Sequence, residues 1–261
     1  MLKQFINKIF SKLKGKRNNR KYIAISKAPT GGNYELLSHL HQRIKPETYL
    51  EIGVQAGNSI IKAQQETNVI GIDPLDCIMY KLPANIKMFF QTSDDFFERK
   101  DVSNILNHKK IDLAFIDGMH LFEYALRDFI NIEKLSGPNT VITLHDCIPS
   151  DAYTSSRDFH EGSWTGDVFK IILVLKKYRP DLRIYNFNDL CVVTNVNPLN
   201  TILKENYDEI VNEYIDLTYD DIADNKEEVL SIINKSPQEI KDEIDILLIE
   251  HKILNIELLA K

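Results

Sequence analysis

The sequence predicts an α/β fold: a doubly wound, seven-stranded and mostly parallel sheet with a C-terminal antiparallel hairpin and extra C-terminal helices. Three observations predict it. Tyr49-Leu-Glu-Ile-Gly-Val-Gln-Ala-Gly-Asn-Ser59 reads as a buried strand running into a Gly-x-x-x-Gly turn and then a helix. Val69-Ile-Gly-Ile-Asp73, Leu113-Ala-Phe-Ile-Asp117 and Val141-Ile-Thr-Leu-His145-Asp146 are apolar runs that each end in an acid. Helical patterns fill most of the gaps between such runs. In an open sheet of this kind the ligand crevice lies outside the carboxyl ends of the strands, so polar residues at several strand ends converge on one site.

The elements follow in order. A Lys/Arg/Asn linker (14–21) and a Pro29-Thr-Gly-Gly turn lead to a helix over 33–44, which Pro46 separates from the first strand. Strands are read near 48–52, 69–72, 87–91, 111–116, 140–145, 182–187 and 190–194, each short and rich in Ile, Val, Leu or Phe, as buried parallel strands are. Leu121, Tyr124, Ala125, Asp128, Phe129 and Ile132 recur at helical spacing after the fourth strand, and Gly137-Pro138 is the expected stop. Only Asn188-Asp189 separates the last two strands, which predicts an antiparallel hairpin. Residues 147–163 lack periodicity and read as a long functional loop. Trp164 either starts a core helix continued by Val168, Ile171, Ile172 and Leu175 or faces a ligand, and both can hold. Three segments result: a basic helix and linker (1–30), the α/β domain (31–197) and a helical extension (198–261). In the last, Ile244, Leu247, Leu248, Ile253, Leu254 and Leu258 predict helices that cover the sheet edge or make a dimer contact.

Formal charge is −6, yet residues 1–27 carry nine Lys/Arg and no Asp/Glu, so the body is strongly acidic and nucleic acid is excluded as the main partner. Leu2, Phe5, Ile6, Ile9, Phe10 and Leu13 share a face of the basic start, which suits peripheral contact with an anionic membrane or packing on the body. Lysines interrupt this segment too often for a secretory signal, and no run reaches membrane-spanning length. Cys77, Cys147 and Cys191 form an odd set without C-x-x-C spacing, which places the chain in a reducing compartment, the cytoplasm.

At one end of the site, Gly53 and Gly57 allow a ligand to approach the backbone closely above free N–H groups. Glu51, just before the turn, disfavours a pyrophosphate and suits an amine-bearing ligand, and G-x-G-x-x-G is missing. Asp73 is placed for ribose hydroxyls, while Ser93 and Asp94 follow the third strand within reach of an adenine amine. At the other end, Asp117 and His120 flank a Gly-Met turn and His145-Asp146 closes the fifth strand, a set of oxygen and nitrogen donors suited to a divalent ion such as Mg²⁺.

These residues resemble the class I S-adenosylmethionine-dependent methyltransferases over roughly 35–195. Glu51-Ile-Gly53-Val-Gln-Ala-Gly57 resembles their first motif, with Ser59 beside it, and Asp73 resembles their ribose-binding acid. The resemblance implies a Rossmann-like sheet, S-adenosylmethionine as cofactor, Glu51 and Asp117 near its methionine end, and Ser93 and Asp94 near adenine. The second half resembles metal-dependent O-methyltransferases, of the catechol type and those acting on macrolide sugars. That implies Asp117, His145 and Asp146 as metal ligands and His120 as base, although His145 stands where that subset has an acid. Asp117-Gly-Met-His-Leu-Phe-Glu-Tyr-Ala-Leu-Arg-Asp-Phe129, His145-Asp-Cys-Ile-Pro149 and Trp164-Thr-Gly-Asp167 resemble a bacterial subset linked to polysaccharide assembly, which implies a sugar, glycan or glycosylated small molecule as acceptor. Tyr153, Arg157, His160, Trp164 and Asp167 are the expected acceptor wall. Two other classes remain: a nicotinamide-dependent oxidoreductase or glycosyltransferase, weakened by the missing G-x-G-x-x-G and Asp-x-Asp, and a non-catalytic binding module, opposed by the intact Asp117, His120 and Asp146.

Overall fold

A computed structural model describes residues 22–188 and 190–259, with the side chains of 254–259 excepted. The basic helix and linker expected over 1–21, Asp189 of the hairpin turn, and the Leu254 and Leu258 side chains lie outside the described residues.

Helix α1 (Asn33–Ile44) precedes β1 (Thr48–Ile52), β2 (Asn68–Ile72) and β3 (Ile86–Phe89). Two short helices, α2 (Ser93–Phe97) and α3 (Val102–Ile105), lead to β4 (Ile111–Ile116), α4 (Phe122–Lys134) and β5 (Ser136–His145). Then come α5 (Lys170–Tyr178), β6 (Arg183–Phe187), β7 (Leu190–Thr194), the short helices α6 (Ile202–Glu205), α7 (Tyr207–Tyr214) and α8 (Lys226–Val229), and the long α9 (Pro237–Leu259). The seven strands form one sheet in the order β3-β2-β1-β4-β5-β7-β6. Strands β1 to β5 pair in parallel, and β7 lies antiparallel between β5 and β6. The order reverses between β1 and β4, so the crevice of the sheet opens above the carboxyl ends of those two strands.

Successive strand residues face opposite sides of a sheet, and the core divides accordingly. Leu50, Ile52, Ile70, Ile72, Ala114 and Ile116 pack with Phe122, Phe129 and Ile172 of α4 and α5. Tyr49, Val69, Leu113 and Phe115 face the other way, against Leu36 and Leu40 of α1 and Ile240 and Ile244 of α9. Helix α9 is tied to α1 by Asp245, which pairs with His39 at 2.9 Å and Arg43 at 2.7 Å. The C-terminal extension therefore covers a face of the sheet, and Ile246, Ile249 and Ile253 of α9 stay exposed.

Three local expectations are corrected. The turn after β1 leads only to a 3₁₀ turn, Ile60–Lys62, because few residues remain before β2 begins at Asn68. Helix α4 ends at Lys134, and Gly137-Pro138 lies within β5 instead of stopping the helix. There the Gly137 N–H donates to Thr140 Oγ1 at 2.7 Å, at an irregularity in the β4–β5 register. Trp164 lies in the loop, with the helix beginning only at Lys170.

Candidate active site

The glycine turn is held from below and from the side. Gly53 has φ +84°, and a Cβ there would lie 1.8 Å from the Asp117 carbonyl oxygen, so the turn packs directly on the end of β4. Asp73, at the end of β2, is buried and accepts the Val54 and Gln55 N–H groups at 3.0 and 2.7 Å on one oxygen and the Leu75 N–H at 2.7 Å on the other. Burial pushes its carboxyl up against the pull of those bonds.

Glu51 departs from expectation. It is wholly buried beneath the turn, its two oxygens taken by the Tyr49 hydroxyl at 2.6 Å and the Ser59 hydroxyl at 2.5 Å. Burial pushes it up to about 8, over the opposing hydrogen bonds. Glu51 and Ser59 thus support the turn from inside rather than present a charge to an amine.

Asp94 is also engaged elsewhere. Arg127 of α4 grips both its oxygens, at 2.9 and 2.8 Å, donates to the Tyr207 hydroxyl at 2.7 Å, and stacks on Tyr124. Ser93 instead bonds Asp128, a buried acid that the sequence showed only as one position of a helical face. Among the described residues Asp128 Oδ1 has no hydrogen-bond partner. Burial raises its carboxyl to about 7, and it lines the small cavity shared with Asp117, His120, His145 and Asp146. An acid in the apolar stripe of α4 was the available signal.

At the ends of β4 and β5 four side-chain atoms alternate around a ring. His120 Nε2 lies 3.4 Å from Asp117 Oδ1 and 3.1 Å from Asp146 Oδ2, and His145 Nδ1 lies 3.3 and 3.2 Å from the same two oxygens. Successive strand residues cannot normally reach one site. Asp146 does so beside His145 because its φ is +60°, and His120 enters with φ +56°. Left-handed backbone at these two non-glycine residues is local strain at the point where the polar groups meet. Burial opposes charge here, but His145 and His120 draw Asp117 down to about 2, and the two carboxylates in turn hold both imidazoles well above the ordinary histidine range.

The loop after β5 fixes His120. The Trp164 carbonyl lies 3.1 Å from His120 Nδ1, the two rings stack at 5.1 Å, and the indole N–H donates to the Ser156 carbonyl at 2.7 Å. Gly166 is required because a Cβ would lie 1.7 Å from the His120 carbonyl oxygen. Phe159, not singled out in the sequence, meets the Trp164 ring edge-on at 5.2 Å and is itself about half exposed.

The other residues expected in the acceptor wall are engaged as follows. Asp167 is buried and accepts the Phe122 N–H at 2.9 Å, Lys170 at 2.8 Å and Arg157, which also grips Glu123. Arg157 and Asp167 therefore staple the loop to α4 and α5. Tyr153 and His160 stack on each other at 3.9 Å, and the His160 ring bonds the Tyr153 carbonyl. Trp164 is the member of the set in contact with the acid–imidazole ring, through His120.

Residues 50–147, from within β1 to just past β5, match the methyltransferase domain family. The matched segment resembles a methyltransferase domain over less than half of the chain. It holds the glycine turn, Asp73, Asp128 and all four members of the ring. Solved structures similar to the chain include an O-methyltransferase of Bacillus cereus in complex with SAH, at 16% identity over 66% of this chain and 82% of that one, TM-score 0.46. Another is TomG of Streptomyces achromogenes, an O-methyltransferase of tomaymycin synthesis in complex with SAM, at 16% identity over 74% and 96%, TM-score 0.48. A third is the SAH-bound methyltransferase PaMTH1 of Podospora anserina, at 14% identity over 62% and 77%, TM-score 0.48. No curated protein matches the sequence. The matched segment has its glycine turn at the switch point of the sheet and its acid–imidazole ring one strand further on.

Proposed function

We propose that the chain transfers the methyl group of S-adenosylmethionine to a hydroxyl oxygen of a sugar, glycan or glycosylated small molecule. The observation that carries the reading is the ring of Asp117, His120, His145 and Asp146 beside a glycine turn held by Asp73. The buried, unpaired Asp128 Oδ1 fits the donor, since an amine is what such an oxygen accepts. Asp73, Ser93 and Gly57 complete the nucleoside side.

In this reading the acceptor oxygen attacks the methyl carbon in line, the C–S bond breaks as the C–O bond forms, and S-adenosylhomocysteine leaves. The hydroxyl proton passes to His120 Nε2, and positioning plus a base supply most of the acceleration. The donor set fits a divalent ion that accepts nitrogen. Held by Asp117, His145 and Asp146, such an ion would polarise the acceptor oxygen and, by taking up the carboxylate charge, leave His120 free of its own proton. Trp164 and Phe159 form an aromatic corner of the sort on which the apolar faces of sugars rest, which supports a sugar-bearing acceptor.

The odd cysteine set supports a cytoplasmic protein, and no helix of the described residues is long and apolar enough to cross a membrane. Methyl-labelled S-adenosylmethionine incubated with a panel of glycosides tests the reaction. Label is expected in a glycoside with the wild type and not with His120→Ala; equal transfer by the variant would remove His120 from its role.

A further inference from the structure

Helix α9 is apolar on two opposite faces. Ile240, Ile244, Leu247 and Leu248 are buried with α1 against the sheet. Ile246, Ile249 and Ile253, at i, i+3, i+7 spacing, point the other way and are each between 51 and 55% exposed. A helix that is hydrophobic all round is ordinarily buried all round, so the outer face calls for a cover. At 3.6 residues per turn, Glu239, Asp242 and Glu250 fall on the same outer half. Asp242, one turn before Ile246, accepts from the Gln238 amide at 2.9 Å and has no cation against it among the described residues.

The chain carries a segment of matching pattern and opposite charge. Leu2, Phe5, Ile6, Ile9, Phe10 and Leu13 share one face at helical spacing, Lys3, Lys8, Lys12 and Lys14 flank it, and no Asp or Glu precedes Glu35. The point at which this segment joins the described residues is also suitable. Ile23 bridges Tyr80 in the connection between β2 and β3, its N–H donating to the Met79 carbonyl at 2.8 Å, and Ile78 packs in the same apolar layer as Ile240. Helix α9 lies against α1 and β5. From β3 to β5 is four inter-strand steps, roughly 19 Å, and the linker of residues 14–21 spans roughly 26 Å when extended.

A second copy is the poorer occupant. Three half-exposed isoleucines offer roughly a few hundred Å², below the ~800 Å² per partner of a stable interface, and a two-fold pair would set one acidic rim against another. A cover from the same chain avoids the cost of association. We infer that residues 2–13 form a helix whose apolar face rests on Ile246, Ile249 and Ile253 of α9, with its lysines against the Glu239, Asp242 and Glu250 carboxylates. The inference does not depend on the methyl-transfer reading.

The test is carbodiimide cross-linking of the full chain, read by mass spectrometry on a mixture of isotopically light and heavy protein. Lys235 and Glu243, already in contact, provide the internal control. The wild type is expected to join the N-terminal lysines to Glu239, Asp242 or Glu250 within single chains. Ile246→Ser/Ile249→Ser, changed only at exposed positions, is expected to lower that yield at least fivefold while the control pair is unchanged. Ile6→Ser/Ile9→Ser, which touches only the segment itself, is expected to do the same. Cross-links found only between light and heavy chains, or a yield unchanged in both variants, would overturn the inference. So would a wild type that gives no such cross-link in buffer, whether or not it floats with phosphatidylserine vesicles; flotation would assign the segment to a membrane surface instead.

Discussion

The imidazole of His120 lies stacked on the indole of Trp164, 5.1 Å between ring centroids and 20° between planes, with the Trp164 carbonyl 3.1 Å from His120 Nδ1. The indole is itself anchored through its N–H to the Ser156 carbonyl. One residue of the loop thus fixes both the tilt of the imidazole and the nitrogen turned toward the carboxylates.

Trp164→Ala is expected to slow methyl transfer to a competent acceptor by roughly tenfold to a hundredfold, within the ~10²–10⁴ that a base supplies. Affinity for the methyl donor should stay within about twofold. Trp164→Phe keeps a stacking face and is expected to fall in between. A rate unchanged in Trp164→Ala would mean that the loop does not position His120.

Asp128 and Asp94 are separable by calorimetry. Removing an acceptor from a buried amine costs about 1–3 kcal/mol, so Asp128→Ala is expected to weaken S-adenosylmethionine binding by roughly fivefold or more. Asp94→Asn, which loosens only the pairing with Arg127, should leave that affinity nearly unchanged. The reverse ranking would restore Asp94 to the adenine end.

Asp167 is expected to matter for stability rather than acceptor choice. Its removal leaves Lys170 buried without its carboxylate and the Phe122 N–H without an acceptor. Breaking a buried pair from one side costs about 3–5 kcal/mol, and Asp167→Ala should lose that much in urea denaturation. A loss below about 1 kcal/mol would show that the network is not a staple.

Stability should depend on pH through two buried groups of opposite sign. Burial holds His41 down at about 3, so between there and 6.5 the unfolded chain takes up a proton that the folded one refuses, and stability falls as pH falls. Glu51 is held up at about 8, so from 4.5 to 8 the unfolded chain releases a proton that the folded one keeps, and stability falls as pH rises. Each slope is at most about 1.4 kcal/mol per pH unit. Urea midpoints across pH 4–9 should show Glu51→Gln gaining on the wild type as pH rises from about 4.5 to 8, and His41→Leu gaining as pH falls below 6.5. Parallel curves for wild type and variants would contradict both assignments.

The sheet was legible because a buried parallel strand is written as a short apolar run with its first polar residue at the crevice, as in Ile116-Asp117 and Leu144-His145. The meeting of Asp117, His145 and Asp146 at neighbouring strand ends was legible for the same reason. What could not be read is which polar group meets which. Asp94 and Asp128 lie on different elements, and only packing shows that Arg127 takes the first and leaves the second facing the cavity. Arg157 and Asp167 looked like a wall because they sit in a loop, and their partners Glu123 and Lys170 belong to helices on either side. Glu51 carried a neglected hint: two residues from Tyr49 on one strand, it must share that buried face.

Methyl transfer by this chain requires that it bind S-adenosylmethionine. Calorimetric titration of the folded chain with S-adenosylmethionine and with NAD, each with and without Mn²⁺, is expected to give saturable binding of S-adenosylmethionine, weakened in Asp73→Ala, and none of NAD. Absence of S-adenosylmethionine binding in a folded sample, or binding of NAD in its place, would contradict it.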